Sequence, residues 1–227
     1  IAFHGSRGSR PTSGSDDDIW VYQLPSGPLT RLPEPGDQAD PSWTPDGRFL
    51  SFAHDSGYSI RAWDGSDRPR LLLTVPAPAQ ARRSGWFPDG RRFLFDDYRE
   101  GASYGVVVPG GADGPVMLAP GHMQLWAATV SPDGQWIASH GNWTGTNGIF
   151  VQASDGGGVR QIARGVSPTW SRSGRELFFR GPGGINAARL ELGQDIRVES
   201  SSVLFPFVAS FDVLPGDSTF VVAELGV

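Results

Sequence analysis

Short apolar segments alternate with turn residues along the whole chain. Phe49-Leu50-Ser51-Phe52 and Ile149-Phe150-Val151 are typical, because each is rich in aromatic or β-branched side chains and is followed within a few residues by Gly. No segment keeps a 3.6-residue apolar period over three helical turns. The pattern therefore predicts an all-β chain of short strands.

One phrase recurs through the chain: an apolar residue, one further residue, a Pro-Asp-Gly turn and an apolar strand. Three copies of the turn are regular and two are degenerate: Pro45-Asp46-Gly47, Pro88-Asp89-Gly90, Pro132-Asp133-Gly134, Arg172-Ser173-Gly174 and Pro215-Gly216-Asp217. Their first residues (45, 88, 132, 172 and 215) are separated by 43, 44, 40 and 43 positions. This regular interval indicates a structural repeat.

The turn joins the first two strands of each repeat. Pro presets φ near −65°, Asp suits the next position, and Gly accepts the left-handed conformation that closes the turn. Third strands are expected at 19–22, 60–63, 106–108 and 149–151, and fourth strands at 29–32, 71–73, 116–118 and 159–162. Four short strands every 40 to 45 residues are typical of a propeller blade.

The fold class predicted is an all-β β-propeller of four-stranded antiparallel blades, with six blade positions. Ile1-Ala2-Phe3 matches the strand after the turn, so the first repeat lacks its opening strand, and the last repeat stops after its second strand. Residues 1–227 are expected to form a single propeller domain and to be a piece of a longer protein. The two incomplete repeats either merge, giving five blades, or stay separate; we favour the separate arrangement.

Amino-acid composition further limits the kinds of partner and site that the chain can have. Hydrophobic residues make up 38% and charged residues 19%, with 31 Gly, 19 Pro and 8 Trp, and the bulky rings are expected to fill the space between blades. The net charge is −5 and the basic residues are scattered, so no nucleic-acid partner is predicted. No apolar run approaches the roughly 20 residues of a membrane span. Cysteine is absent, which excludes disulfides and cysteine-based zinc sites.

Several phrases carry a family resemblance. Residues 45–53, Pro-Asp-Gly-Arg-Phe-Leu-Ser-Phe-Ala, and 131–138, Ser-Pro-Asp-Gly-Gln-Trp-Ile-Ala, resemble the WD-repeat-like (PD40-type) propeller repeats of TolB-type proteins. Residues 168–180 are similar to the propeller that follows the kinase domain in many bacterial serine/threonine protein kinases. The resemblance implies a non-catalytic interaction platform, and family analogy favours an extracytoplasmic, periplasmic location.

A search for catalytic motifs finds none. The chain has no kinase signature, no Gly-x-Ser-x-Gly nucleophile elbow, no phosphate-binding loop and no His-Glu-x-x-His. We therefore predict no enzyme and no cofactor. Asp16-Asp17-Asp18 lacks the oxygen spacing of a calcium loop, so a solvated loop is expected there.

Polar residues recur at one position of the second strand. The sixth residue after each turn Gly is, in successive repeats, His4, Ala53, Asp96, His140, Arg180 and Ala223. We predict a ligand-binding rim at the channel mouth, formed by His4, Asp96, His140 and Arg180 and joined by Asp40, Arg83 and His54. The alternative is that these are ordinary strand ends meeting water. No metal site is predicted, because His4 and His140 would face each other across a six-fold ring.

Loops beside this rim supply further candidates. They are Trp126, His122 and Gln124 before the fourth repeat, and Trp143 and Asn142 within it. Trp143 stands among Gly, Asn and Thr, a setting that is unusual for a core residue.

Three functions remain open on these grounds. The first is a monomeric scaffold or sensor module for a protein, peptide or small ligand, attached to a bacterial signalling protein such as a serine/threonine kinase. The second is a propeller hydrolase or lyase with its site at the channel mouth. The third is the gating propeller of a peptidase. We favour the first, because no nucleophile and base pair is recognisable.

Overall fold

The chain is built from strands. The computed structural model describes residues 1–6, 17–32, 34, 36–75, 82–97, 103–111, 113–118, 124–142, 146–193, 195–206, 210–214, 216–217 and 219–223. Twenty-one strands and no helix lie among these residues, which confirms the all-β prediction. They form two compact units, Ile1–Met117 and Leu118–Val227, each described by itself below. The single-domain organisation of residues 1–227 stays a prediction.

The first unit holds three antiparallel sheets whose strands follow chain order. The first sheet has three strands: β1 (Ala2–Ser6), β2 (Asp17–Tyr22) and β3 (Leu29–Leu32). The second has four: β4 (Ala39–Trp43), β5 (Phe49–His54), β6 (Gly57–Ala62) and β7 (Arg70–Thr74). The third also has four: β8 (Arg82–Trp86), β9 (Phe93–Asp97), β10 (Ser103–Val107) and β11 (Val116–Met117).

The second unit repeats this plan. The fourth sheet comprises β12 (Leu125–Val130), β13 (Trp136–Gly141), β14 (Gly148–Ala153) and β15 (Arg160–Arg164). The fifth comprises β16 (Val166–Trp170), β17 (Glu176–Gly181), β18 (Gly184–Glu191) and β19 (Arg197–Phe205). The last pairs β20 (Ser210–Val213) with β21 (Phe220–Ala223). Each sheet corresponds to one sequence repeat, with an incomplete sheet at either end of the described chain.

Side-chain hydrogen bonds close the regular turns. The N–H of Gly47 donates to the carbonyl of Thr44 at 2.9 Å, and φ of Gly47 is +67°. Oδ1 of Asp46 accepts from the Thr44 hydroxyl at 2.6 Å and from the Arg48 N–H at 3.0 Å. These hydrogen bonds hold the pKa of Asp46 below its ordinary value. The turn is therefore encoded locally, by the hydroxyl residue, Asp and Gly together.

Large side chains fill the space between neighbouring sheets within each unit. In the first unit, one face of the second sheet packs on the first sheet and the other face packs on the third. The core between the first and second sheets consists of Ile19, Val21, Leu32, Leu50 and Phe52. The core between the second and third sheets consists of Ala53, Tyr58, Val75, Phe93, Phe95 and Val107. In the second unit, Ile149 and Val151 of the fourth sheet pack against Trp170, Leu177 and Phe179 of the fifth. Face-to-face packing of sheets through bulky side chains, as predicted, is present in both units.

The Trp residues that end first strands contact the preceding sheet. Nε1 of Trp86 donates to the Ser51 hydroxyl at 3.1 Å, and Nε1 of Trp170 donates to the carbonyl of Thr129 at 3.2 Å. Each indole thus adds a directional bond to the apolar contact, which helps to set how neighbouring sheets align.

The two degenerate turns of the second unit complement each other. Arg172 stands where the regular turns have Pro, so this turn carries an additional N–H. The Arg172 and Ser173 N–H groups both donate to the Asp217 carboxylate, at 2.6 and 3.1 Å. Asp217 occupies the Gly position of its own turn, with φ of +57°. The departures from Pro-Asp-Gly in the two repeats are therefore structurally linked.

We predict that Asp217→Gly destabilises the protein by about 1–2 kcal/mol, although Gly is better suited to a positive φ. The cause is the loss of both charged acceptors, and the measurement is chemical unfolding. Asp217→Asn keeps one acceptor oxygen and tolerates the backbone conformation, so its loss should be smaller. Arg172→Pro removes one of the donors and should cost less in the Asp217→Gly background than alone. Unchanged or increased stability of Asp217→Gly would contradict this link.

Candidate binding site at the strand ends

The first strand of every four-stranded sheet contains one extra residue near its start. In the second sheet, Ala39 pairs with Ala53 whereas Ser42 pairs with Ser51, so three steps on β4 match two on β5. Equivalent register shifts lie between Arg82 and Ser84, between Trp126 and Thr129, and between Val166 and Thr169. Each is a β-bulge, a feature that re-aims side chains at a strand end.

The bulge has the same backbone geometry in different sheets. The residue three positions before the strand end is Asp40, Ala127 or Ser167, with φ of +49°, +50° and +56°. A non-Gly residue in this conformation costs of the order of 1 kcal/mol or more. Arg83 occupies the same position of β8, and its side chain lies outside the described part of the structure. Asp40 and Arg83, both predicted to join the rim, therefore lie at equivalent positions of β4 and β8.

His140 supports one of these bulges. It is 9% exposed, and its Nδ1 accepts a hydrogen bond from the backbone N–H of Ser167 at 3.2 Å. Its ring meets the ring of Trp126 edge-on, with the centroids 5.0 Å apart. Because Nδ1 is an acceptor, the proton of the neutral imidazole is on Nε2. The placement of His140 at a ligand-binding rim stays a prediction, whereas the structure shows that it holds the next strand.

Asp96 and Arg180 occupy the equivalent second-strand position in the third and fifth sheets. Asp96 is 1% exposed, and its backbone carbonyl accepts a hydrogen bond from the Tyr58 hydroxyl at 3.1 Å. Arg180 is partly buried and pairs with Val166 on one side and Ile185 on the other. Neither is an ordinary exposed strand end, since both lie at least partly within the packed sheets.

His54 closes its own hairpin. Its Nε2 lies 2.9 Å from the Ser59 hydroxyl, and its Nδ1 accepts from the Ser56 N–H at 3.3 Å. Burial lowers the pKa of His54 below its ordinary value of 6.5, and the nearby charge of Asp55 opposes that shift. The side chain is therefore neutral at pH 7 and serves the turn between β5 and β6.

The remaining candidates are placed as follows. His4 pairs with Ile19 across β1 and β2, but its side chain lies outside the described part. Trp143 and His122 also lie outside the described residues. Gln124 is exposed with φ of +45°, and Asn142 is exposed. Trp126 is a residue of β12, so its assignment to a loop was wrong.

The prediction of a solvated loop at Asp16-Asp17-Asp18 is wrong for Asp18, which is buried in a strand. Asp17 and Asp18 begin β2, and the Asp18 side chain is fully buried, where its carboxylate pairs with Nε of Arg31. The described residues hold no group of three or more His, Asp or Glu side chains suited to a metal ion. No helix in the described part of the chain has the length and apolar character that crossing a bilayer needs.

Comparison with known proteins supports the fold. No protein-family model matches the chain. The Tol-Pal system protein TolB of Nitratidesulfovibrio vulgaris is 32% identical over 62 residues, which are 26% of this chain and 14% of that protein. The match thus concerns a short segment and only a small part of the curated relative.

Solved structures match over most of the chain. TolB from Acinetobacter baumannii superposes with a TM-score of 0.72 at 14% identity, covering 95% of this chain and 56% of that one. The β-propeller domain of Cps50 (Swd1) from Myceliophteria thermophila gives 0.62 at 15% identity, covering 82% and 66%. An oligogalacturonate lyase in complex with manganese gives 0.56 at 16% identity, covering 73% and 50%. The fold is therefore of the β-propeller type, and the chain spans just over half the length of the solved TolB.

Proposed function

We propose that this chain is a non-catalytic propeller module that binds a protein, a peptide or a small ligand at the strand ends remote from the Pro-Asp-Gly turns. The bulge carries the proposal. Its positive φ recurs at Asp40, Ala127 and Ser167, and the register shift of β8 puts Arg83 at the same strand position, so one bulge carries different residues in different sheets. A costly backbone that is repeated while its side chain varies, with Asp40 and Ser167 partly exposed, suits recognition by a rigid scaffold.

The chemistry of the neighbouring side chains agrees with binding rather than turnover. His140 is engaged with the backbone of Ser167, and His54 with its own hairpin. A general base must instead reach the proton that it abstracts. The resemblance to kinase-associated propellers further suggests attachment to a bacterial signalling protein, most simply a serine/threonine kinase in an extracytoplasmic setting. A kinase encoded upstream in the same reading frame would support this attachment, and a peptidase encoded downstream would favour the gating alternative.

A phage-displayed peptide library selected on this chain tests the proposed surface. Affinities of selected peptides are then measured by calorimetry for wild type and variants. Asp40→Asn and Gln124→Glu change the charge at the strand ends. Gln135→Glu makes the matched change beside the Pro132 turn, at the opposite end of the same sheet as Gln124.

We expect at least one strand-end variant to weaken each selected peptide by about tenfold, because Asp40→Asn removes a charged acceptor and Gln124→Glu replaces an amide donor with a carboxylate. Gln135→Glu should leave the affinity unchanged. Peptides that respond only to Gln135→Glu, or to none of the variants, would contradict a recognition surface at the strand ends.

The fold of the oligogalacturonate lyase favours one second candidate, a lyase or hydrolase. His140 and Arg180 of the second unit share the second-strand position that such a site would use. The test is the formation of unsaturated products from polygalacturonate with added manganese. If the wild type forms these products and His140→Gln does not, the lyase function replaces the scaffold proposal. If the wild type forms none, this lyase reaction is ruled out.

A further inference from the structure

A cleft lies between the first and second sheets of the first unit. Its volume is about 690 Å³, and six charged residues line it: Arg31, Glu34, Arg61, Asp64, Asp67 and Arg68. Arg31 is on β3, Arg61 is on β6, and Asp64, Asp67 and Arg68 belong to the connection from β6 to β7. The cleft is therefore separate from the first-strand bulges that carry the proposed recognition surface.

Arg61 is the central residue of the cleft. It is 7% exposed, its Nη1 pairs with Oε1 of Glu34, and its Nη2 donates to the carbonyl of Asp67 at 3.1 Å. Among the described residues, its buried Nε has no hydrogen-bond acceptor. A buried N–H without an acceptor is rare and costly, so it calls for an explanation beyond the joining of two sheets.

Two further guanidinium groups bring donors to the same cleft. Arg31 pairs with Asp18 through Nε, and its two Nη groups have no acceptor in the described part of the chain. Arg68 is exposed and makes no ion pair or hydrogen bond with the described residues. Arg31, Arg61 and Arg68 together therefore offer several N–H donors that the protein does not satisfy.

The carboxylates of the cleft are already engaged. Oδ1 of Asp64 accepts from the Ser66 N–H at 2.9 Å, Oδ1 of Asp67 accepts from the Ala62 N–H at 2.7 Å, and Glu34 accepts from Arg61. The Ser66 hydrogen bonds also keep the pKa of Asp64 below its ordinary value, so this group is an anion that shapes the connection. Three arginines and three carboxylates line the cleft, so their formal charges balance. What the cleft has in excess is N–H donors that no acceptor of the lining satisfies.

We propose that this cleft binds the oxyanion, a carboxylate or a phosphate, of a small ligand. The planar guanidinium presents parallel N–H groups that match the spacing of two oxyanion oxygens. The exposed guanidinium of Arg68 and the Nη groups of Arg31 are the donors at the surface of the cleft, and the buried Nε of Arg61 completes the set when the ligand binds. Glu34 and the Asp67 carbonyl hold Arg61 in place before the ligand arrives.

Nuclear magnetic resonance of the arginine Nε–H groups tests the proposal in the intact chain. Inorganic phosphate and citrate are titrated separately, and signals are assigned with single variants. We expect the Arg61 and Arg68 signals to shift in a saturable manner with at least one probe. The probe that binds more tightly identifies the class of oxyanion.

Three variants define the site. Arg68→Gln should weaken binding by about tenfold or more, because it removes one charged donor. Arg61→Lys keeps the charge beside Glu34 but removes Nε, and it should weaken binding to a similar degree while circular dichroism confirms the fold. Arg91→Gln removes another exposed charge, which lies after the Pro88 turn and outside the cleft, and should leave the affinity unchanged.

Other results would overturn the proposal. The first is that neither probe binds in a saturable manner. The second is that the wild type, Arg68→Gln and Arg61→Lys bind with equal affinity. The third is that the signal of Arg91 shifts as strongly as that of Arg61. In each case Arg61 would serve only to join the two sheets. The peptide experiment uses different residues, so failure of one proposal does not decide the other.

Discussion

Gly57→Ala and Gly184→Ala are each expected to destabilise the protein by about 3 kcal/mol or more. Both glycines begin a third strand, with φ of +139° and +144°. A Cβ at Gly57 would lie 2.0 Å from the carbonyl oxygen of Leu73, and one at Gly184 would lie 2.1 Å from that of Phe205. Because the obstacle is the backbone of the fourth strand, strand pairing must shift to make room.

Matched alanine substitutions separate this clash from the general effect of removing Gly. A Cβ at Gly114 or Gly193 would have no atom within 4 Å, neither residue has a positive φ, and they lie in the first and second unit respectively. Gly114→Ala and Gly193→Ala should stay within about 0.5 kcal/mol of wild type or be slightly stabilising. Chemical unfolding measures all four variants. Wild-type stability of Gly57→Ala and Gly184→Ala would show that the third and fourth strands are not as close as described.

Trp170→Ala is expected to cost about 3–5 kcal/mol. The side chain is 6% exposed, and it packs with Leu177 and Phe179 between the fourth and fifth sheets. Its Nε1 also donates to the Thr129 carbonyl across that gap. Truncation therefore opens a cavity and leaves a carbonyl without its partner.

Trp170→Phe distinguishes the two contributions. It keeps most of the apolar volume but loses the hydrogen bond, so a smaller loss of about 1–3 kcal/mol is expected. Val203→Ala is the control, because Val203 is 54% exposed on β19, and it should change the free energy of unfolding by less than about 0.5 kcal/mol. Equal effects of Trp170→Ala and Val203→Ala would contradict a core between these two sheets.

Local chemistry made much of the fold predictable. The Pro-Asp-Gly turns are recognisable because each Asp accepts hydrogen bonds from residues of its own turn, joined in the Pro45 and Pro132 turns by the hydroxyl of Thr44 or Ser131. Third and fourth strands were found where β-branched and aromatic residues cluster between turns. The strands β18 and β19 were not predicted: β18 contains Asn186 and two Ala, and β19 has a run of three Ser. Pairing with a neighbouring strand, rather than side-chain pattern, holds them in place.

The candidate sites were less accessible to sequence reasoning. Alignment of the repeats correctly grouped Asp96, His140 and Arg180 at one strand position, but it did not show that His140 bonds to the Ser167 backbone. Asp18 was assigned to a solvated loop because its partner, Arg31, is thirteen residues away and on another strand. Arg61 was not singled out at all, since its burial beside Glu34 depends on the packing of two sheets.

The sequence by itself determined the class of structure, the length of each repeat and the position of its turns, because those features depend on residues within a few positions of one another. Tertiary structure alone decided which polar groups became buried, which first-strand residues adopted a positive φ, and where guanidinium donors converged. The physical reason is that burial and hydrogen-bond partners come from neighbouring strands and sheets, whose approach no local pattern specifies. Asp217 illustrates the division: its turn is visible in the sequence, whereas its two bonds to the preceding turn exist only once the sheets are packed.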